Sequence, residues 1–267
     1  MFQPFYSLNT TPFTKELDVK HSFESEAFAE AMGRLEFLKK TRGIGLLTGE
    51  PGAGKTFLLR SFASSLPDSL YKVVYFPLST VTVMDFYRGI ASGLGEEPKF
   101  RKVDLFHQIQ QAILRYYKDR RVTPVLILDE MQMAKDLFLC DLSMLFNFGM
   151  DAQNPFVLVL AGLPHLQDRL TVRRINQPLS QRIVMNYKVE PLKKDEVAGY
   201  IRHHMELAGS KHHVFTDKAI EAIASLTQGW PRLINNLATH CLLYGFQARK
   251  DQIDEEIVRL ASKEVGF

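Results

Sequence analysis

The stretch GEPGAGKT at residues 49–56 has the residue types and spacing that bind the phosphates of a nucleotide. It fits the pattern G-x-x-x-x-G-K-[ST] and lies between a strand-like run and a helical run, as this loop requires. Glycines let backbone N–H groups point at phosphate oxygens, Lys55 supplies a positive charge, and the Thr56 hydroxyl can ligate Mg²⁺. ATP and Mg²⁺ are therefore the predicted cofactors. The predicted nucleotide-binding residues here are Gly49, Glu50, Pro51, Gly52, Ala53, Gly54, Lys55, Thr56 and Phe57.

Two adjacent acids, Asp129 and Glu130, end the apolar run TPVLILDE. After a phosphate-binding loop of this kind, an aspartate at the end of a neighbouring strand holds Mg²⁺ together with Thr56, and a second carboxylate can deprotonate the attacking water. The pair predicts ATP hydrolysis, with Lys55 and Glu130 as catalytic residues and Asp129 as a nucleotide and metal residue. The alternatives are a turn with solvated acids, or a kinase of small molecules, which would leave the C-terminal helices without a role.

Arginines at two places fit a site completed between subunits. Arg182 in LSQRIV precedes the last apolar run, where its side chain could reach the γ-phosphate of a neighbouring subunit. Such a finger raises the rate by about 10³ to 10⁵, and it would make oligomerisation a condition of activity. Arg173 and Arg174 compete for this role, and all three could instead be solvated. Arg232 in GWPRLINNL lies at a helix start and could reach nucleotide, or could be a surface arginine.

The elements that must position these residues alternate along the chain. Apolar runs rich in β-branched residues occur at residues 43–49, 71–77, 123–130, 154–162 and 182–189. Because helical segments separate them, they predict an α/β fold whose parallel five-stranded sheet is covered by helices on both faces. After Pro191 the pattern is helical throughout, with Thr216 and Gly229 as start and stop signals. The predicted division is an N-terminal segment, 1–42, packing on the core; the core, 43–190; and a small helical lid, 191–267.

Composition sets the remaining bounds. The 267 residues are 46% hydrophobic, enough for a sizeable core, and their net charge of +3 permits nucleic-acid contact without establishing it. The longest apolar runs fall far short of the roughly 20 residues that cross a bilayer. Cys140 and Cys241 lie within apolar helical patterns and predict buried free thiols. We therefore expect a cytoplasmic protein without a membrane partner.

Several motifs together resemble those of the bacterial AAA+ ATPases of the ExeA, TniB and TnsC group. They are GEPGAGKT, the strand ends LDEMQ and LAGLP, LSQRI, the helix GWPRLINNL, and YSLNTTPF at residues 6–13, which is similar to the opening of ExeA-like chains. The resemblance covers nearly the whole chain. It implies that Lys55 and Thr56 are P-loop residues, Asp129 the Mg²⁺ residue, Glu130 the base, Arg182 the finger and Arg232 the lid sensor.

One departure from that group concerns the end of the fourth core strand. Many AAA+ proteins carry a polar sensor there, and ExeA-like chains commonly have a glutamine. This chain has Ala161, Gly162 and Leu163 instead. The departure predicts slow hydrolysis.

The resemblance implies two kinds of activity. ExeA normally adds a membrane segment and a further domain, which we do not expect to fit in 267 residues. The transposon kind assembles on duplex DNA as an ATP-dependent ring or filament and passes the target to a DDE transposase, with hydrolysis driving disassembly. We expect this second kind. A secretion or envelope assembly ATPase, and another DNA-loading or repair ATPase, are the alternatives.

Two basic clusters flank the helical run at residues 103–117. The cluster before this run is the favoured site for binding duplex DNA without sequence preference: Lys99, Arg101 and Lys102. The resemblance implies that this position faces a central channel. Positive side chains at phosphate spacing are sufficient for backbone contacts. The other cluster follows the run: Lys118, Arg120 and Arg121. We expect it to be a helix C-terminus stabilised by its dipole.

Overall fold

A computed structural model describes residues 2–77, 82–150 and 152–266. The chain divides into two compact units. The larger unit consists of Glu30–Pro51 and Lys55–Val189, and the smaller of Met1–Ala29, Gly52–Gly54 and Glu190–Phe267. Among the described residues, no helix is both long enough and apolar enough to cross a bilayer.

The larger unit is built on a parallel five-stranded sheet, as the sequence predicted. Its strands are β1 (Gly43–Gly49), β2 (Tyr71–Pro77), β3 (Thr123–Asp129), β4 (Val157–Gly162) and β5 (Ile183–Val189). Their order across the sheet is β2-β3-β4-β1-β5. The strand that ends in Asp129 is thus separated by β4 from the strand that leads into the P-loop. Because all the strands are parallel, the carboxyl ends of β3, β4 and β1 nevertheless meet at one edge.

Helices cover both faces of this sheet. They are α1 (Glu26–Thr41), which begins in the smaller unit, α2 (Lys55–Ser64), α3 (Val83–Gly93), α4 (Lys102–Leu114), α5 (Asp136–Leu145), α6 (His165–Val172) and α7 (Gln177–Ser180). On one face, Leu126 and Leu158 join a buried cluster with residues of α3 to α7. On the other, Leu38 of α1 lies against Gly45, where a Cβ would come within 2.5 Å of it. Burial on both faces explains the continuous apolar strands.

Besides the 3-10 helix Val19–His21 and the start of α1, the smaller unit contains four α-helices among the described residues: α8 (Lys194–Leu207), α9 (Asp217–Thr227), α10 (Pro231–Gln247) and α11 (Glu255–Val265). The Thr216 side chain accepts a hydrogen bond from the Ala219 backbone N–H and so caps α9. The helix ends in two left-handed residues, Gln228 and Gly229. Both termini lie where the sequence signals predicted them.

The N-terminal residues belong to this smaller unit. Phe2, Tyr6 and Phe13 are buried in its helical cluster, and the Tyr6 hydroxyl donates to the Lys250 carbonyl oxygen at 3.1 Å. The Phe13 ring stacks on the His204 ring, with 5.4 Å between the ring centroids. Burial lowers the pKa of His204 to about 4. Residues 2–29 thus belong to the smaller unit, because their aromatic side chains fill its helical cluster.

The two cysteines differ in burial. Cys241 is fully buried in the helical cluster, where its pKa rises to about 12. Cys140 on α5 is only half-buried, and its thiol donates to the Ile175 carbonyl oxygen at 3.2 Å. The prediction of two buried thiols is therefore correct for Cys241 and wrong for Cys140.

Replacing Gly229 with alanine is expected to destabilise the helical unit strongly. Its φ is +79°, and an added Cβ would lie 2.1 Å from the Leu192 carbonyl oxygen, a backbone atom. Strain and clash together predict a loss of at least about 2 kcal/mol in the free energy of unfolding. Urea denaturation followed by the fluorescence of Trp230, the single tryptophan, measures it. The control, Gln228→Gly, changes a residue at φ +51° and should stay within about 1 kcal/mol of wild type. Equal midpoints for the two variants would contradict the prediction.

Candidate active site

The P-loop connects β1 to α2 and depends on glycine at two positions. Gly52 and Gly54 have φ angles of +86° and +89°, a region that side chains with a Cβ rarely adopt. Lys55 opens α2 and is only 7% exposed. Its ammonium group donates to the carbonyl oxygens of Gly49 at 2.8 Å and Glu50 at 3.0 Å. The charge is therefore held at the start of the loop, beside a helix N-terminus that favours anions.

A pair of oxygen ligands lies at the carboxyl ends of the strands. The Thr56 hydroxyl donates to Asp129 Oδ2 at 2.9 Å, although the two residues are 73 positions apart. Asp129 is 1% exposed, and its other oxygen, Oδ1, accepts from the Glu130 backbone N–H at 2.8 Å. Hydroxyl and carboxylate oxygens are ligands that Mg²⁺ prefers. The residues present thus fit the magnesium site predicted from the sequence.

Tyr75 is a neighbour of this pair that sequence reasoning missed. It lies near the end of β2, and its hydroxyl donates to Asp129 Oδ2 at 3.3 Å. Burial, and secondarily the Asp129 charge, raise the pKa of Tyr75 to about 12, so the phenol remains a donor. The only sequence signal was a tyrosine near the end of a run that was itself predicted to be a strand.

Glu130 differs from Asp129 in both exposure and backbone. Its side chain is exposed, and its φ of +58° lies in the left-handed region. Non-glycine residues are uncommon there and cluster at functional sites. The Gln132 side-chain amide donates to Glu130 Oε2. The carboxylate is therefore held outside the magnesium pair, where it is open to water and able to act as a base.

The family of this chain follows from its sequence similarity to known proteins. Residues 38–170 match the model of a family described as AAA domain, and this range contains the P-loop, Asp129 and Glu130. The chain is an ATPase of the AAA family. It is 30% identical over 270 residues to general secretion pathway protein A of Aeromonas hydrophila, covering 100% of the chain and 49% of that protein. The chain spans about half the length of the curated relatives it matches.

Two solved structures share the fold. Cdc6p from Pyrobaculum aerophilum has a TM-score of 0.73 at 18% identity, covering 95% of this chain and 70% of that one. The structure of Drosophila ORC bound to DNA has a TM-score of 0.70 at 16% identity, covering 96% of this chain and 64% of that one. At these identities, the likeness establishes the AAA+ fold and nothing further.

The three candidate finger arginines of this AAA ATPase have different surroundings. Arg182 is half-buried, and its guanidinium donates to the Ser143 carbonyl oxygen of its own chain. Arg173 forms an ion pair with Asp136. Arg174 is exposed and makes no side-chain hydrogen bond or ion pair within the part of the chain that the structure describes. Within the described residues, Arg174 is thus the candidate finger whose guanidinium has no hydrogen-bond or ion-pair partner in its own chain.

Arg232 occupies the second position of α10. Its backbone N–H donates to the Gly52 carbonyl oxygen at 3.3 Å, and both residues belong to the smaller unit. A Cβ on Gly52 would lie 2.6 Å from the Arg232 Cβ, so the contact requires glycine at that position. The Arg232 side chain is exposed.

The structure separates the two basic clusters by their partners. In the cluster at the start of α4 all three residues are exposed, and the Lys102 ammonium pairs with Asp141 at 2.7 Å. The cluster after α4 is exposed at all three positions: Lys118, Arg120 and Arg121. There, the Arg120 guanidinium lies 4.7 Å from the Tyr116 ring centroid. Among the described residues, the favoured cluster thus has one charge paired with an acid, and the other cluster has none.

Proposed function

We propose that this AAA ATPase regulates DNA transposition by assembling on target duplex DNA with ATP and recruiting a DDE transposase. Hydrolysis then disassembles the oligomer. The observation that carries the proposal is the arrangement at one edge of the sheet: a P-loop lysine, the Thr56–Asp129 pair at 2.9 Å and an exposed Glu130. A site that both binds and hydrolyses ATP suits a timed switch. The transposase itself is inferred from the sequence resemblance.

Two further observations support the DNA part of the proposal. Exposed cationic side chains flank α4 at both ends, and positive side chains of this kind neutralise DNA phosphates without reading sequence. One solved structure with this fold is of ORC bound to DNA. The fold is thus compatible with a DNA-bound ATPase.

DNA binding is expected to require ATP or a non-hydrolysable analogue and to weaken with salt. Each neutralised phosphate contributes about −0.9 to the slope of log affinity against log salt. Fluorescence anisotropy of labelled duplexes with ATP, ADP and no nucleotide, across a salt series, measures both dependences. Replacing Lys99, Arg101 and Lys102 with alanine should reduce the affinity and the slope together and leave ATP affinity unchanged. Equal binding in all three nucleotide conditions would contradict the switch.

The matched control replaces Lys118, Arg120 and Arg121 with alanine, which removes the same formal charge from the other end of α4. The proposal expects a smaller change in slope for this control than for the first triple variant. A larger change would move the DNA surface to the second cluster.

The second candidate is a secretion or envelope assembly ATPase. The similarity to general secretion pathway protein A across the whole chain favours it. It predicts ATP hydrolysis without ATP-dependent duplex binding. The anisotropy experiment therefore distinguishes the two candidates.

A further inference from the structure

Gln132 joins the proposed base to the end of the fourth strand. Its Nε2 donates to Glu130 Oε2, and its Oε1 accepts from the Leu163 backbone N–H at 3.2 Å. A carboxylate only accepts and a backbone N–H only donates, so a single orientation of the amide satisfies both partners. The Gln132 side chain is half-buried. One amide thus links the residue that follows β3 to the residue that follows β4 at the catalytic edge.

The end of β4 leaves room for this amide. A Cβ on Gly162 would lie 2.9 Å from Leu166 Cδ2, 3.0 Å from Gln132 Oε1 and 3.2 Å from the Gln132 backbone nitrogen. Any side chain at position 162 would therefore press on Gln132. The lack of a polar side chain at Ala161, Gly162 and Leu163 is matched by an amide from the 3-10 turn that follows β3.

Arg169 fixes the backbone that carries Gln132. Its guanidinium donates to the Gln132 carbonyl oxygen at 3.0 Å, the Ala134 carbonyl oxygen at 2.6 Å and Asp136 Oδ1 at 2.9 Å. Hydrogen bonds, first from Arg169 and then from Asn176 and Arg173, hold the pKa of Asp136 well below its usual range. The Asp136 carboxylate therefore stays charged, and hydrogen bonds hold the segment 130–136 at several points.

We infer that Gln132 is a positioning residue for ATP hydrolysis, holding the Glu130 carboxylate at the catalytic edge in place of a polar sensor on the fourth strand. The inference rests on the proposed role of Glu130 as the base. Gln132 acts through Glu130 and does not touch the nucleotide. Its removal therefore lowers turnover and leaves ATP affinity intact.

The experiment compares Gln132→Met, Glu130→Gln and the double variant in the full chain. Methionine keeps the length of the side chain and removes both hydrogen bonds. A lost hydrogen bond to a charged group predicts a kcat about tenfold to a hundredfold lower, with ATP affinity by titration unchanged. The double variant should be no slower than Glu130→Gln alone, because residues acting as one unit are not additive. The control is Gln110→Met, which removes an amide that donates to the carbonyl oxygens of Leu145 and Asn147; its kcat should equal that of wild type.

Each outcome bears on a different claim. A wild-type kcat in Gln132→Met, or a double variant in which the two losses multiply, overturns the positioning role. A wild-type kcat in Glu130→Gln would instead show that Glu130 is not the base, and the proposed role on which the inference rests would be wrong. If Gln132→Met fails to fold, Gly162→Ala decides: the inference expects a lower kcat with unchanged ATP affinity, and an unchanged kcat overturns it.

Discussion

Glu130→Gln is expected to lower the rate of ATP hydrolysis by at least about 10²-fold, within the usual range for a general base. ATP binding should be retained, because the exposed Glu130 side chain lies outside the Thr56–Asp129 pair. Single-turnover hydrolysis of labelled ATP and equilibrium titration measure the two quantities separately. Hydrolysis at the wild-type rate would remove Glu130 from the mechanism.

Lys55→Ala is the contrasting variant. The Lys55 ammonium is buried and held at the loop by the Gly49 and Glu50 carbonyl oxygens, where it is proposed to meet the phosphates. Its loss should weaken nucleotide binding itself. Undiminished affinity would contradict a phosphate-binding role for Lys55, whatever the result for Glu130.

Loss of the arginine finger is expected to lower hydrolysis by about 10³-fold or more, and mixing variants identifies which arginine it is. If a finger acts across an interface, subunits that lack it should regain activity when mixed with Glu130→Gln subunits, because some composite sites then have both an intact base and an intact finger. The sequence favoured Arg182, and the structure leaves Arg174 available. The mixing experiment therefore uses both Arg174→Ala and Arg182→Ala, each combined with Glu130→Gln subunits.

The pattern of rescue assigns the role. Rescue of Arg182→Ala alone would support the sequence-based prediction and require its bond to the Ser143 carbonyl oxygen to break on assembly. Rescue of Arg174→Ala alone would assign the finger to the exposed arginine. No rescue of either variant, together with a monomeric mass in the presence of ATP, would contradict a site between subunits.

Local patterns in the sequence identified the elements of the sheet and part of the site. The five apolar runs became the five strands, because continuous β-branched and apolar residues suit a sheet that is buried on both faces. The motif at residues 49–56 identified the phosphate-binding loop from glycine geometry and residue chemistry alone. The positions of Asp129 and Glu130 at a strand end were equally local features.

Tertiary structure decided which side chains meet. The strand order inserts β4 between β1 and β3, so the end of β4 lies beside Gln132, a contact between residues 31 positions apart. Tyr75 reaches Asp129 because β2 pairs with β3, and Arg182 turns to its own chain because α5 ends beside it. The N-terminal aromatic residues likewise pack with helices that are distant in the sequence, those of the smaller unit. Sequence periodicity specifies which face of an element is apolar, but the partner of that face is chosen by packing between distant segments, and no single segment contains that information.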